Sequence, residues 1–182
     1  MNDVILGGAA ELALGTAVIP ASLLGDITPN FTEGTRSSET LGGNRTTPSG
    51  RFDESTLTFT LFVPSMDYLK AIWADLYSAP TGTGTAGHLR FGAGSCSSKD
   101  PVTANIHYVC DDNSNNDQHF FRTLVAMNWN PTINATDGFS VEVTVYVQPN
   151  DDLDYFQLGA GDLTQETLWD AATQTWIPVG SS

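Results

Sequence analysis

Residues 55–77 read STLTFTLFVPSMDYLKAIWADLY, and the fold class follows from how this stretch changes its period halfway along. From Ser55 to Val63, Leu57, Phe59, Leu61 and Val63 alternate with Thr56, Thr58, Thr60 and Phe62. A period of two, rich in β-branched and aromatic residues, specifies a strand with one buried face. Pro64 ends it, and Ser65 caps a helix over about residues 65–77, with Asp67 in the first turn to complement the dipole. Leu69, Ile72, Trp73 and Leu76 fall at i, i+3, i+4 and i+7, one apolar stripe to lay on a sheet. Ala79-Pro80 and the glycines beyond stop the helix.

Working outward, three strands are predicted downstream, at His88–Phe91, Val102–Cys110 and His119–Trp129. The last is apolar on both faces, with Phe121, Val125, Met127 and Trp129 on one and Phe120, Leu124 and Ala126 on the other. Such a strand is covered on both sides or lies at a subunit boundary. Asp137-Gly138 marks a turn before Phe139–Gln148, whose Phe139, Val141, Val143, Val145 and Val147 point inward. The pattern predicts a mainly β fold, an antiparallel β-sandwich or barrel with one flanking α-helix.

The rest of the chain is less regular. Residues 1–24 are broken by Gly7, Gly8, Gly15 and Pro20, and are expected to form an N-terminal arm or edge strand. Residues 26–51 are rich in Thr, Ser, Gly, Asn and Pro, and read as a long polar loop. Loops beyond about 15 residues are uncommon in compact domains and tend to be functional or disordered. In a monomer this one is a lid or tail; in an assembly it orders against a neighbour, with Phe31 and Leu41 as anchors and Arg36, Arg45 and Arg51 as its cations. Residues 149–182 are expected to form a C-terminal arm, whose Tyr155, Phe156, Leu168, Trp169 and Trp176 need something to pack against. Tyr155 and Phe156 join Phe31, Arg36, Leu41, Arg45 and Arg51 as candidate assembly residues.

A chain of 182 residues fits one domain, residues 1–182, with a real core. Its 21 acidic residues against 7 basic ones give a net charge of −14. That balance excludes binding to a nucleic-acid backbone or an anionic membrane surface. It fits either plain solubility or a surface past which DNA slides without sticking. Residues 4–24 are apolar but lack a basic flank, and Glu11 and Pro20 interrupt them, so neither a secretory signal nor a membrane span is expected. Cys96 and Cys110 form no disulfide framework or zinc pattern, and read as two reduced thiols in preference to a single bridge.

Tests for chemistry come back empty. Asp111, Asn113 and Asn115 occupy positions 1, 3 and 5 of a calcium-like loop, but Asn116 replaces the required glycine and Arg122 stands where the bidentate acid belongs. A polar hairpin turn is the better reading. His88, His107 and His119 have no zinc-ligand spacing, and Ser95 and Ser97 have no nucleophile-elbow context. Gly42-Gly43 and Gly82-Gly84 open no helix after a strand. No catalytic, cofactor or metal site is expected.

In its order of segments the chain resembles the tail tube (major tail) proteins of long-tailed, siphovirus-like bacteriophages. The resemblance is carried by TPSGRFDESTLTFTLFVPSMDYLKAIWADLY, then IHYVCDDNSNNDQHFFRTLVAMNWNP, then DGFSVEVTVYVQPNDD, and covers most of residues 45–150. It implies subunits that form rings, usually sixfold, stacked into a hollow tube, with the polar loop and terminal arms bridging rings. It implies a tape-measure protein in the lumen during assembly, tail terminator and tail-tip proteins as further partners, and DNA passing through unbound. The setting it implies is a virion tail assembled in the host cytoplasm, with no enzymatic role. Two other readings stand beside it. The aromatics Trp129, Tyr146, Trp169 and Trp176 would suit a carbohydrate-binding or adhesion module, and the virion setting would also suit a capsid decoration or head–tail joining protein.

Overall fold

The computed structural model describes residues 9–40, 43–62, 66–82, 86–91, 100–110, 115–126, 129–134, 138–160 and 166–179. The chain opens with β1 (Ala10–Leu14), β2 (Ala17–Ile19), β3 (Leu24–Thr40) and β4 (Gly43–Phe62). Helix α1 (Met66–Ile72) follows, then the short β5 (Tyr77–Ser78) and β6 (His88–Leu89). After these come β7 (Val102–Tyr108), β8 (Gln118–Val125), β9 (Asn130–Asn134) and β10 (Gly138–Gln148). The chain closes with β11 (Phe156–Leu158), β12 (Thr167–Asp170) and β13 (Thr175–Pro178). The main sheet is antiparallel in the order β2-β1-β7-β8-β10-β4-β3, with β9 and β11 added on β10 and β8.

Strand order dictates the shape. β2 and β3 stand at opposite ends of the order, yet only Pro20 and the 3₁₀ turn Ala21–Leu23 separate them. Six inter-strand gaps in a flat sheet would set these edges about 29 Å apart. Five residue steps span at most about 18 Å. The sheet therefore curls on itself, and residues from both ends enter one core: Leu12, Leu14 and Ile19 meet Leu57, Phe59 and Leu61. Val141, Val143, Val145 and Val147 of β10 are fully buried there, each contributing roughly 1.5–3 kcal/mol.

The expected helix is shorter than residues 65–77. It ends at Ile72, because the Trp73 backbone leaves helical geometry (φ −118°, ψ 53°) and a 3₁₀ turn over Ala74–Leu76 replaces the last turn. The stripe survives, since Leu69, Ile72, Trp73 and Leu76 are all buried. Trp73 donates its indole N–H to the Ala126 carbonyl at 3.0 Å. Pro64 and Ser65 lie outside the described residues, as do Met127, Asp137 and Gly42.

Three expectations are corrected. Residues 26–51, where described, are not a loop: they belong to the long arms of the β3–β4 hairpin, paired from Leu24↔Leu61 out to Thr40↔Gly43. Beyond Thr35 and Pro48 their polar composition hides a ribbon whose described residues are wet on both faces, in which no apolar alternation is needed. The terminal segments, where described, are not loose arms, and of the two expectations for the amino end the structure has the edge strand, β2. β1 and β2 form a hairpin whose turn places Gly15 at φ +59°, and Leu12 and Ile19 are core. In the carboxyl segment, β11 pairs with β8, and the β12–β13 hairpin covers β7. Last, β8 does not keep one phase. Ala104 pairs with Phe120 but Val102 pairs with Thr123, so a bulge shifts the alternation. Phe120 and Val125, expected on opposite faces, thus enter the same core.

Candidate assembly surfaces

The β3–β4 hairpin is held at its base by aromatics. Phe31 lies 4.8 Å from Phe156, 5.3 Å from Phe52 and 6.1 Å from Phe120, and Tyr155 stands edge-on to Phe52 at 4.9 Å. Three of the candidate assembly residues, Phe31, Tyr155 and Phe156, are therefore brought together, but inside the chain's own half-buried cluster. Ser55 Oγ adds a hydrogen bond to the Val147 carbonyl at 2.6 Å. At the edge of the body the register slips twice, around Glu33. Gly34 sits at the slip, where a Cβ would meet the exposed Asp53 carboxylate and that side chain would have to swing aside.

Beyond this base the ribbon is bare. From Thr35↔Pro48 to Thr40↔Gly43 it runs six residue pairs, about 20 Å. Arg36, Arg45 and Arg51 are exposed, and Arg36 and Arg45 share one face because Arg36 opposes Thr47 and Ser38 opposes Arg45. Leu41 lies outside the described residues.

The opposite pole is built by α1. Its inward face packs Leu69 and Ile72, leaving Asp67 and Lys70 exposed, and Asp75 of the following 3₁₀ turn is exposed beside them. Together with Asp100, Glu166 and the β1–β2 turn these line an open cleft of about 670 Å³. None of Asp67, Asp75 and Asp100 is ion-paired with another described residue. Lys70 instead lies over the Tyr77 ring at 4.9 Å. Burial holds the Glu166 carboxyl above its ordinary value of 4.5, against a hydrogen bond from the Thr103 backbone that pulls it down. Nearby, Trp73, Phe91, Trp129 and Phe139 form a chain of ring contacts at 5.0–6.0 Å, leaving Trp129 and Ile133 partly open to water.

A third face carries buried polar groups that the sequence did not signal. Thr103, Asn105 and His107 alternate along β7 like a solvated face, yet all are buried under the β12–β13 hairpin. His107 Nδ1 meets Asp117 Oδ1 at 2.8 Å, and Trp169 stacks on the imidazole at 4.0 Å. His119 lies between Asn105 Oδ1 at 2.6 Å and the Gly159 carbonyl at 2.8 Å. Thr167 Oγ1 donates to the Gly15 carbonyl at 2.7 Å, and the Trp176 indole N–H to Glu11 at 2.6 Å. Trp169 and Trp176, two of the four aromatics that would suit a sugar platform, are thus spent on docking this hairpin. His107 and His119, which sequence spacing gave no reason to bring together, sit on adjacent strands at 1% exposure, where they hold the fold and meet no solvent. No group of three or more His, Cys, Asp or Glu residues suited to a metal occurs among the described residues. Cys110 is exposed, and Cys96, Asp111 and Asn113 lie outside the described residues.

No family model and no curated protein matches the chain. Solved structures do. The tube-terminating cap of the anti-feeding prophage superposes with a TM-score of 0.58 at 11% identity, over 88% of this chain and 94% of that one. The sheath/tube terminator of an extracellular contractile injection system gives 0.54 at 11% identity, over 88% and 99%. A chain of the sheath–tube complex of such a system gives 0.53 at 12% identity, over 87% and 94%. What this chain shares with them is its mainly antiparallel β fold with one helix, the fold of tube and tube-terminating subunits.

Proposed function

We propose that the chain is a structural, non-enzymatic subunit that joins copies of itself into rings, and that the rings stack into a tail-type tube. The observation that carries this reading is the β3–β4 hairpin. A two-stranded ribbon wetted on both faces is marginal by itself, and it gains a defined place when a neighbour covers it. The outer edge of β3 supports the lateral half of the reading. Among the described residues it pairs only with β4, leaving a seventeen-residue strand open on one side. Joining that edge to a neighbour's sheet closes a ring and removes the edge. Likeness to tube and terminator proteins over most of the chain supports the same reading.

The sheet face turned away from the core suits a lumen. Thr28, Thr58 and Thr144 stand in one row across three strands, beside Asn30, Thr56 and Tyr146 in the next. Hydroxyls and the carboxylates of Glu54 and Glu142 give DNA or a tape-measure protein nothing cationic to hold. Terminator and tip proteins are the further partners of such a tube, and a virion tail assembled in the host cytoplasm is its setting.

Electron microscopy of the concentrated purified protein tests the reading: rings and tubes are expected, and dispersed monomers would sink it. The likeness to a tube-terminating cap favours a second reading, a subunit that forms one closing ring. Single rings that never stack would select it.

A further inference from the structure

Charge is distributed along the long axis of this molecule in a way that fits one copy onto the next. β4 runs from Gly43 at the hairpin tip to Phe62, four residues before α1 begins, so the tip and α1 stand at opposite poles of one strand. The whole chain carries −14, but residues 35–51 hold three arginines against one glutamate. At the other pole the cleft beside α1 gathers Asp67, Asp75, Asp100 and Glu166, with Lys70 the one cation among the described residues that line it. The hairpin is narrow and bare, and the cleft is open.

We propose that the distal β3–β4 hairpin of one copy docks in the acidic cleft beside α1 of the copy in the next ring, with Arg36 and Arg45 facing Asp67 and Asp75. The proposal rests on the tube reading above and names the axial contact within it. Arg36 and Arg45 lie on the same face of the ribbon, so a single approach presents both guanidinium groups. Asp67 and Asp75 are exposed on the face of the α1 segment that does not pack on the core. An arginine fork meets a carboxylate with two parallel hydrogen bonds, which fixes orientation as well as adding attraction. Head-to-tail contacts between different surfaces of identical subunits propagate, as stacking requires.

The test uses two charge reversals on exposed side chains. Arg36→Glu with Arg45→Glu alters the hairpin, and Asp67→Arg with Asp75→Arg alters the cleft. Each variant alone is expected to form rings and no stacks, because like charges then face each other. An equal mixture of the two is expected to stack again, since each reversed surface finds its complement on the other variant. Stacks from either variant alone, or no stacks from the mixture, would overturn the contact. Should a reversal disturb folding, Arg36→Lys with Arg45→Lys keeps the charge and supplies amines. Zero-length carbodiimide coupling in wild-type-like tubes then links residues 36 or 45 to residues 67 or 75 if they touch. Other inter-subunit links without these would equally overturn it. Wild-type protein that forms neither rings nor stacks refutes the tube reading itself, whereas wild-type tubes that survive the reversals refute only this contact.

Discussion

Trp73 is the largest fully buried side chain among the described residues. Its ring is fully buried, touches Phe91 and Trp129, and satisfies the Ala126 carbonyl through its N–H. Trp73→Ala should cost roughly 3–5 kcal/mol, a large part of a typical domain's stability. An unchanged melting temperature in that variant would contradict the packing described. Glu166 acts in the opposite sense. Unfolded, it loses its proton near 4.5; folded, burial delays that loss to higher pH. Between the two values the folded state holds the extra proton, so stability present at low pH falls as pH rises through that window. Glu166→Gln should remove this loss, and its melting-temperature advantage over wild type should grow as pH rises above 4.5. An advantage that does not change with pH would place the carboxylate in water.

At the scale of elements, the hairpin is separable from the body. Among the described residues its distal arms contribute nothing to the core, and its base is fixed by Phe31 and Phe52. Replacing residues 36–47 with a two-residue Asn-Gly turn should leave a folded domain, with a melting temperature within the roughly 2–4 °C that 1 kcal/mol makes at this size. Sedimentation of that variant should show rings without tubes, and tubes of ordinary length would end the hairpin's axial role. This element also shows where sequence stops being legible. The strand at residues 55–62, the α1 stripe and the valine ladder of β10 were readable because each contrasts a dry face with a wet one. The hairpin arms have two wet faces and so carry no periodic signal. The alternation of Thr103, Asn105 and His107 was readable but misleading, because what covers that face arrives some sixty residues later, through Thr167 and Trp169. Phe31, Tyr155 and Phe156 were correctly singled out as aromatics needing a partner, and the partner is their own cluster.

For the molecule as a whole, the two directions of assembly should answer oppositely to salt. Around a ring, copies that each carry −14 repel, and apolar burial and strand pairing must overcome this. Along the axis, the contact proposed above would bring the arginines of one pole to the carboxylates of the other. Salt shortens both effects to about 8 Å at physiological strength. Ring formation should therefore strengthen as salt rises while stacks shorten, which sedimentation and negative-stain micrographs can follow together. Rings that dissolve with added salt would mean that ion pairs hold the lateral contact.

The curled sheet has a consequence for the timing of synthesis. β1 emerges first, but its inner partner is β7, where Ala10 meets Tyr108 and Leu14 meets Ala104. At about 5–20 residues per second, a ribosome needs roughly 5–20 s to deliver the second strand after the first. Until residues 57–61 and α1 emerge, Leu12, Leu14 and Ile19 have only their own small hairpin for cover, and the strand that hydrogen-bonds β1 comes later still. The seal over the Gly15 turn comes later still, when Thr167 arrives more than 150 residues after it. A nascent chain stalled before residue 102 should thus be sticky and recruit holdase chaperones, and one stalled past residue 179 should not.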